Sequence, residues 1–427
     1  MKLYIIITLD IHPIGGMQLY TAGKAAFLEK NGWKVVVLYP GSNDKSCAVS
    51  SLNKYTAGGN LLLDHRPAQL SGRLQHAVLK KICRLWRDIN TDQDLIYIES
   101  QSEVTALWGE LLAEKLRARH VCFNCNELFR GPKKYYEENI EFFRFKYDRK
   151  ELLGLHKDTL QKIFDGYMEV PCDDTFLFDA VEPGPIQDVR NEFVEDLAIC
   201  DWNIAYVGRA EKGYVSNIIK GVADFAEKYS EKRIGFIMVG NAEERKEQIQ
   251  EVLERCSNLN IELPGDMVPI PRDLYRKLDV VIAGAVCAEI SAREGVPTIV
   301  ADCENHWACG VLGYTTMNSM YHETGFEQSD FCEALEDTLI HKTYLKHVYA
   351  FPEAIPSDEI YESHFLFFEG ASKRKVYYDV KKNPNVERLS QKEKILVYLK
   401  LWNPNCFFKL SGIKKRLCNG SKRAGCF

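Results

Sequence analysis

The sequence predicts an α/β protein of two doubly wound parallel-sheet domains facing a cleft, followed by a helical, basic C-terminal tail. Three observations predict it. Apolar runs of strand length alternate with stretches of helical period in both halves of the chain. An acidic, Pro-rich stretch without sustained period, EVPCDDTF and then VEPGPIQD, separates the halves. From residue 391 onward nine Lys and Arg face a single acid, Glu393, in a chain whose net charge is −5.

The elements follow in order. Leu3–Leu9 is a strand, and a loop with Asp10, His12, Pro13, Gly15 and Gly16 leads into a helix with Leu19, Ala22 and Ala26 on one face. Gly32 ends that helix before the strand Lys34–Tyr39. Leu95–Ile98 is a strand feeding a helix striped by Val104, Leu107, Trp108, Leu111 and Leu112, and Val121–Phe123 is the next strand. Tyr135–Phe164 reads as helical with a break at Gly154. In the second half, strands are expected near Asn203, at Gly235–Val239, Asn260–Leu263, Asp279–Ala283 and Thr298–Ala301, with helices at Glu243–Cys256 and Asp273–Lys277. The boundaries are a first domain at 1–180, a linker at 181–201, a second domain at 202–365 and a tail at 366–427 that partly packs on the first domain. In the tail, Ile395, Leu396, Leu399 and Trp402 share a helical face.

A length of 427 residues suits two domains, and 46% hydrophobic with 27% charged residues is ordinary for a soluble globular chain. The net charge gives no general case for nucleic acid. The 14 Cys are scattered, and MKLYIIITLD is too short an apolar run for a signal peptide, so free thiols in a reducing cytosol are expected. Cys122 and Cys125 form a C-x-x-C with no second pair at zinc spacing, so no metal site is expected. No run reaches the roughly 20 apolar residues of a membrane span. A helix that is basic, aromatic and apolar suits an anionic membrane surface. It equally suits a helix packed back on the first domain.

The stretch Trp202–Tyr229 carries the most chemistry. Ile204–Val207 is strand-like, Ile218, Ile219, Val222, Phe225, Ala226 and Tyr229 form a helical stripe, and Gly208, Arg209 and Lys212 lie in the turn between them. A helix start offers free N–H groups and a partial positive charge, Arg a planar fork and Lys a point charge, so this turn fits a diphosphate. It also fits an ordinary βα unit with two solvated cations at its mouth. Later, Asp302, Glu304, His306 and Trp307 occupy a loop just past a strand end, where ligands are met in such folds.

Three segments together resemble the GT-B glycosyltransferases, specifically the group 1, glycogen synthase-like type of bacterial polysaccharide biosynthesis. They are Gly15-Gly16 followed by a helix and NGWKVVVL, then YVGRAEKG…IIKGVADF, then LYRKLDVVIAG…SAREGVPTIVAD, covering roughly residues 1–40 and 200–302. The resemblance implies two Rossmann-like domains, an acceptor domain first and a nucleotide-sugar donor domain second. It implies hexose transfer from a UDP- or GDP-sugar to a hydroxyl of a lipid-linked saccharide in surface or capsular polysaccharide synthesis, with retention and without metal or cofactor. The implied partners are the nucleotide sugar, the acceptor and, through the tail, the inner face of the cell membrane; no nucleic acid is expected. Arg209 and Lys212 would neutralise the leaving diphosphate, with Gly208 in the same turn, and Gly15 and Gly16 would let backbone approach it. Pro271 lies where this family places backbone around the base, and His306 would face the donor.

Two departures stand out. The family's two Glu eight residues apart fall on Ile282 and Ile290, leaving Glu289 to substitute by a one-residue shift. The His expected late in the first domain is absent from VCFNCNELF, leaving His12, Asp10 and Glu127 as candidates for proton transfer or hydroxyl binding. These departures favour one rival, a non-catalytic partner subunit; a second, a GT-B sugar-nucleotide epimerase, would use the same diphosphate site, though the basic apolar tail argues against it. A dinucleotide oxidoreductase is disfavoured, because HPIGGM lacks the three-glycine spacing.

Overall fold

A computed structural model describes the chain apart from residues 13, 41–46, 48, 58–61, 87–93, 125–132, 156–159, 162, 165–166, 171–190, 371–375, 381–388, 404–406 and 408–427. It divides into two compact units, Met1–Asp179 with Asp358–Phe427, and Ala180–Ser357.

The first unit holds β1 (Lys2–Ile7), α1 (Gly16–Lys30), β2 (Lys34–Leu38), α2 (Gly72–Cys83), β3 (Leu95–Ser100), α3 (Glu103–Leu116), β4 (Arg119–Asn124), α4 (Lys133–Asp148) and β5 (Leu152–Gly154). Its sheet is parallel throughout, in the order β2-β1-β3-β4-β5. Residues 3–7 of β1 are all buried, as expected of a strand covered on both faces. The expected helix over 135–164 ends at Asp148 instead. Lys150 takes a left-handed φ of 57°, and Leu152, Leu153 and Gly154 form β5 beside β4. All three are buried, so pairing with the sheet outweighs the helical composition around them.

Among the described residues this unit holds two buried charge clusters. Glu99 accepts from Tyr4 Oη at 2.7 Å and Tyr20 Oη at 3.2 Å and pairs with Lys24. Tyr20 Oη also lies 2.9 Å from His364 Nδ1 on α11 (Ser357–Gly370), the helix with which the chain re-enters this unit. In the second cluster Glu110 Oε2 lies 2.7 Å from His120 Nδ1 and 2.6 Å from Lys146 Nζ, and Lys146 reaches Glu151 Oε2 at 2.8 Å.

The last described helix, α12 (Gln391–Trp402), begins with a capping box between Ser390 and Glu393. It buries Val397 and Leu401 in the same core as β1 and β3, and Lys400 Nζ pairs with Asp64 Oδ2 at 2.7 Å. That corrects the expected stripe. Ile395 and Trp402 are 61% and 69% exposed, and Leu396 and Leu399 only half-buried. Apolar residues surround this helix, so periodicity alone does not choose a face. The Lys400–Asp64 pair lies on the buried side, the Lys stem covering apolar surface on the way to its partner.

The second unit holds α5 (Glu192–Asp196), β6 (Trp202–Val207), α6 (Val215–Lys228), β7 (Ile234–Val239), α7 (Lys246–Arg255), β8 (Leu259–Gly265), α8 (Arg272–Tyr275), β9 (Val280–Ala283), α9 (Val286–Arg293), β10 (Thr298–Ala301), β11 (Ala308–Val311) and α10 (Phe331–Glu336). The sheet order is β11-β10-β9-β6-β7-β8, with only the β10–β11 pair antiparallel. On α6, Ile218, Ile219, Val222, Phe225 and Ala226 of the expected stripe are fully buried, while Tyr229 lies at the C-cap and is half-buried. From β6 the chain winds outward through β7 and β8, then returns to β9 on the other side. The switch point of this sheet therefore lies between β6 and β9, the place where open α/β sheets take their ligands.

Candidate anion-binding site

The bend carrying Arg209 and Lys212 leaves β6 at the switch point. Tyr206 Oη donates to Arg209 O at 2.9 Å, and Lys212 N donates to the same oxygen at 3.3 Å, closing the turn. Gly240 directly follows β7, and a Cβ there would stand 2.1 Å from Gly208 O, so only glycine lets the two strand ends meet. The Arg209 side chain is about half exposed and lies 3.2 Å from Glu211 Oε1. Lys212 Nζ sits 5.7 Å from the centre of the Tyr214 ring. From the far side Arg245, in the turn after β7, donates to Ala210 O, Lys212 O and Ser216 Oγ at 2.8, 3.0 and 2.7 Å.

The end of β9 lies alongside. Val207 pairs with Ala283, so Gly208 and Gly284 leave the sheet side by side. Buried Tyr214 lies against Gly284, its Oη 3.2 Å from where a Gly284 Cβ would be. The run of small residues at 283–288 straddles the strand end and the first turn of α9. Ala285 takes a φ of 56°, a strained value for a residue with a Cβ, and donates its N–H to Ser319 O at 2.6 Å. Glu289, on the first turn of α9, accepts from Ser319 Oγ at 2.8 Å and lies 3.7 Å from Arg293.

The 302–307 loop completes the site. Buried Asp302 accepts from Glu304 N at 2.6 Å, Asn305 N at 3.3 Å, His322 N at 3.1 Å and Gln328 Nε2 at 3.0 Å. So held, the loop puts His306 at a φ of 68° with its ring against Gly213, and Asn217 Nδ2 donates to His306 O at 3.1 Å. Trp307 beside it is 47% exposed.

Of the residues singled out in the sequence, the structure thus brings Gly208, Arg209, Lys212 and His306 together, with Glu289 on the neighbouring helix. Pro271 is buried at the N-cap of α8, whose Leu274 and Tyr275 pack in the same core as Ala205 and Val207 of β6 and Ala283 of β9. In the first unit Asp10, His12 and Gly15 occupy the loop after β1, and Gly16 opens α1. Asp10 Oδ1 accepts from His12 N at 2.9 Å, and the His12 ring meets Tyr39 edge-on at 5.6 Å. Gly15 is extended at the N-cap of α1, and the space around Gly16 is open. Glu127 and Cys125 lie outside the described residues. Sequence reasoning did not single out Arg245, Tyr214 or Ser319. Among the described residues no group of three or more His, Cys, Asp or Glu is placed to hold a metal, and no helix is long and apolar enough to cross a membrane.

No protein-family model matches the chain, and no curated protein does. Solved structures do match. A glycosyltransferase from Rickettsia africae is 13% identical with a TM-score of 0.56, over 94% of this chain and 99% of that one. HepE of Anabaena, solved with UDP and glucose, is 11% identical with a TM-score of 0.52, over 87% and 96%. A UDP-GlcNAc 2-epimerase from Neisseria meningitidis, bound to UDP-GlcNAc, is 12% identical with a TM-score of 0.50, over 86% and 100%. The similarity spans nearly the whole of each, and it establishes the fold: this chain is a two-unit α/β protein of the GT-B type.

Proposed function

We propose that the chain is a glycosyltransferase that moves a hexose from a nucleotide diphosphate sugar, UDP- or GDP-linked, to a hydroxyl of a lipid-linked saccharide. The observation that carries this reading is the bend at the switch point of the second unit. There Arg209, Lys212 and the start of α6 gather positive charge, and the His306 ring is packed against Gly213 in the same bend. In the reaction the sugar–phosphate bond breaks and charge develops on the leaving diphosphate. Fixed cations and backbone dipoles aimed at that charge lower the barrier without a metal. Glu289, on the helix that follows β9, takes the ribose or sugar hydroxyls. The resemblance to group 1 enzymes implies retention of the anomeric configuration. Asp10 and His12, after β1, stand on the acceptor side.

The surface of α12 supports a membrane-bound acceptor. Ile395, Tyr398 and Trp402 form an exposed stripe at the head of a segment with nine cations and one acid. Apolar and aromatic side chains beside Lys suit the interface of an anionic bilayer, at the inner face of the cell membrane.

Incubation with a panel of UDP- and GDP-sugars and a saccharide-lipid extract tests the reading. Transfer to the lipid fraction, lost in Arg209→Ala, is the expected result. Conversion of the nucleotide sugar to its epimer without acceptor would assign the site to an epimerase. No turnover or binding of any nucleotide would leave a non-catalytic subunit.

A further inference from the structure

The bend is shaped from outside by Arg245, which follows β7 and does not belong to the cationic turn itself. Its guanidinium spends three donors on one short stretch: Nε on Ala210 O at 2.8 Å, one terminal nitrogen on Lys212 O at 3.0 Å and the other on Ser216 Oγ at 2.7 Å. Two of these acceptors are alternate carbonyls of the bend. In a trans peptide the C=O of one residue and the N–H of the next point in opposite directions. Drawing the carbonyls of Ala210 and Lys212 toward Arg245 therefore turns the N–H groups of Glu211 and Gly213 to the opposite side. Both residues are exposed, and among the described residues neither amide has an internal acceptor. Alternate amides on one side of a short turn, flanked by Arg209 and Lys212, make a concave anion receptor.

We propose that Arg245 is the positioning residue of this receptor. It fixes the peptide planes so that the amides of Glu211 and Gly213, with Arg209 and Lys212, take a phosphate of a nucleoside diphosphate. This rests on the nucleotide-sugar reading above and adds the backbone and its brace to it. Arg245 touches no phosphate; its charge is used on carbonyl oxygens behind the bend. Only a planar fork reaches three acceptors so arranged. A Lys at this position has one nitrogen and cannot span them. Gln248 ties the same region from α7, donating to Ser216 O at 2.9 Å, so the start of α6 stays anchored when Arg245 is removed.

The test is binding of whichever of UDP and GDP the wild-type full chain takes, read by calorimetry. The matching nucleoside, which lacks the diphosphate, is read by ligand-observed NMR. The variants are Arg245→Ala, Arg245→Lys and Ser216→Ala. The expected result is that Arg245→Ala weakens the diphosphate about tenfold or more and leaves the nucleoside unchanged. Arg245→Lys should fall between, and Ser216→Ala should lose least. Unchanged diphosphate affinity in Arg245→Ala, or equal loss for nucleoside and diphosphate, overturns the proposal while leaving the proposed function standing. If Arg245→Ala does not fold, the same comparison is made with Arg245→Lys. A wild-type chain that binds neither nucleotide overturns the functional reading, and this proposal with it.

Discussion

Gly213 lies directly under the imidazole of His306: a Cβ built on Gly213 would stand 2.4 Å from His306 Cε1 and 2.5 Å from Nε2. A missing side chain on one loop thus admits the ring of another, and the ring is held in place by a left-handed backbone and the Asp302 network behind it. Gly213→Ala should displace His306 and lower sugar-nucleotide turnover about tenfold. The double variant Gly213→Ala/His306→Ala should be no slower than His306→Ala alone, because the two act through one contact. Additive losses in that cycle would show the contact to be incidental.

Arg209 is half exposed, and its ion pair with Glu211 is a surface pair worth at most about 1 kcal/mol of stability. Arg209→Ala should therefore unfold at the same urea concentration as the wild type. Its turnover should fall by about 3 kcal/mol of barrier, roughly a hundredfold, as when an oxyanion donor is lost. Steady-state kinetics and urea titration together check both halves.

The buried cluster in the first unit predicts acid lability. Burial, then Lys146 beside it, push His120 down to about 4. Burial alone would raise the Glu110 carboxyl, but Lys146 and His120 hold it well below the usual range. For His120 the unfolded chain takes up a proton near pH 6.5 while the folded chain resists until about 4, so stability falls as pH drops through that window. Glu110 acts in the same direction at lower pH, since its stabilisation is lost as the carboxylate protonates. Urea midpoints between pH 7 and 4 should fall steadily. His120→Gln, which cannot be protonated, should flatten the upper part of that curve.

On α12 the buried and exposed residues should part company. Leu401→Ala should cost about 2–4 kcal/mol, because it opens a cavity in the core of the first unit. Trp402→Ala should change stability by no more than about 0.5 kcal/mol. It should nonetheless weaken sedimentation with phosphatidylserine vesicles. Equal binding of wild type and Trp402→Ala would remove this face from any membrane contact.

Much of the sheet was readable because buried parallel strands are continuous apolar runs, such as residues 3–7 and 204–207. The α6 stripe was readable because only one side of that helix is apolar. α12 misled for the opposite reason, since apolar residues occur on several sides and Val397 and Leu401 win the core. β5 is three residues long inside helical composition and carries no period of its own. β11 runs antiparallel against β10 after a short loop, and nothing in its sequence marks the reversal. Arg209 and Lys212 stood out as cations at a strand–helix turn. Arg245 did not, because it sits in the charged run Glu243-Glu244-Arg245-Lys246, which reads as a solvated face. The meeting of His306 with Gly213 depends on a loop conformation that no local pattern encodes.

The most direct test of the bend as a pyrophosphate receptor is a crystal structure of the chain soaked with UDP or GDP. Diphosphate oxygens within about 3 Å of the Arg209 guanidinium, the Lys212 ammonium and the amides of Glu211 and Gly213 are the expected result. A nucleotide whose diphosphate binds elsewhere, with Arg209 left in solvent, would contradict it.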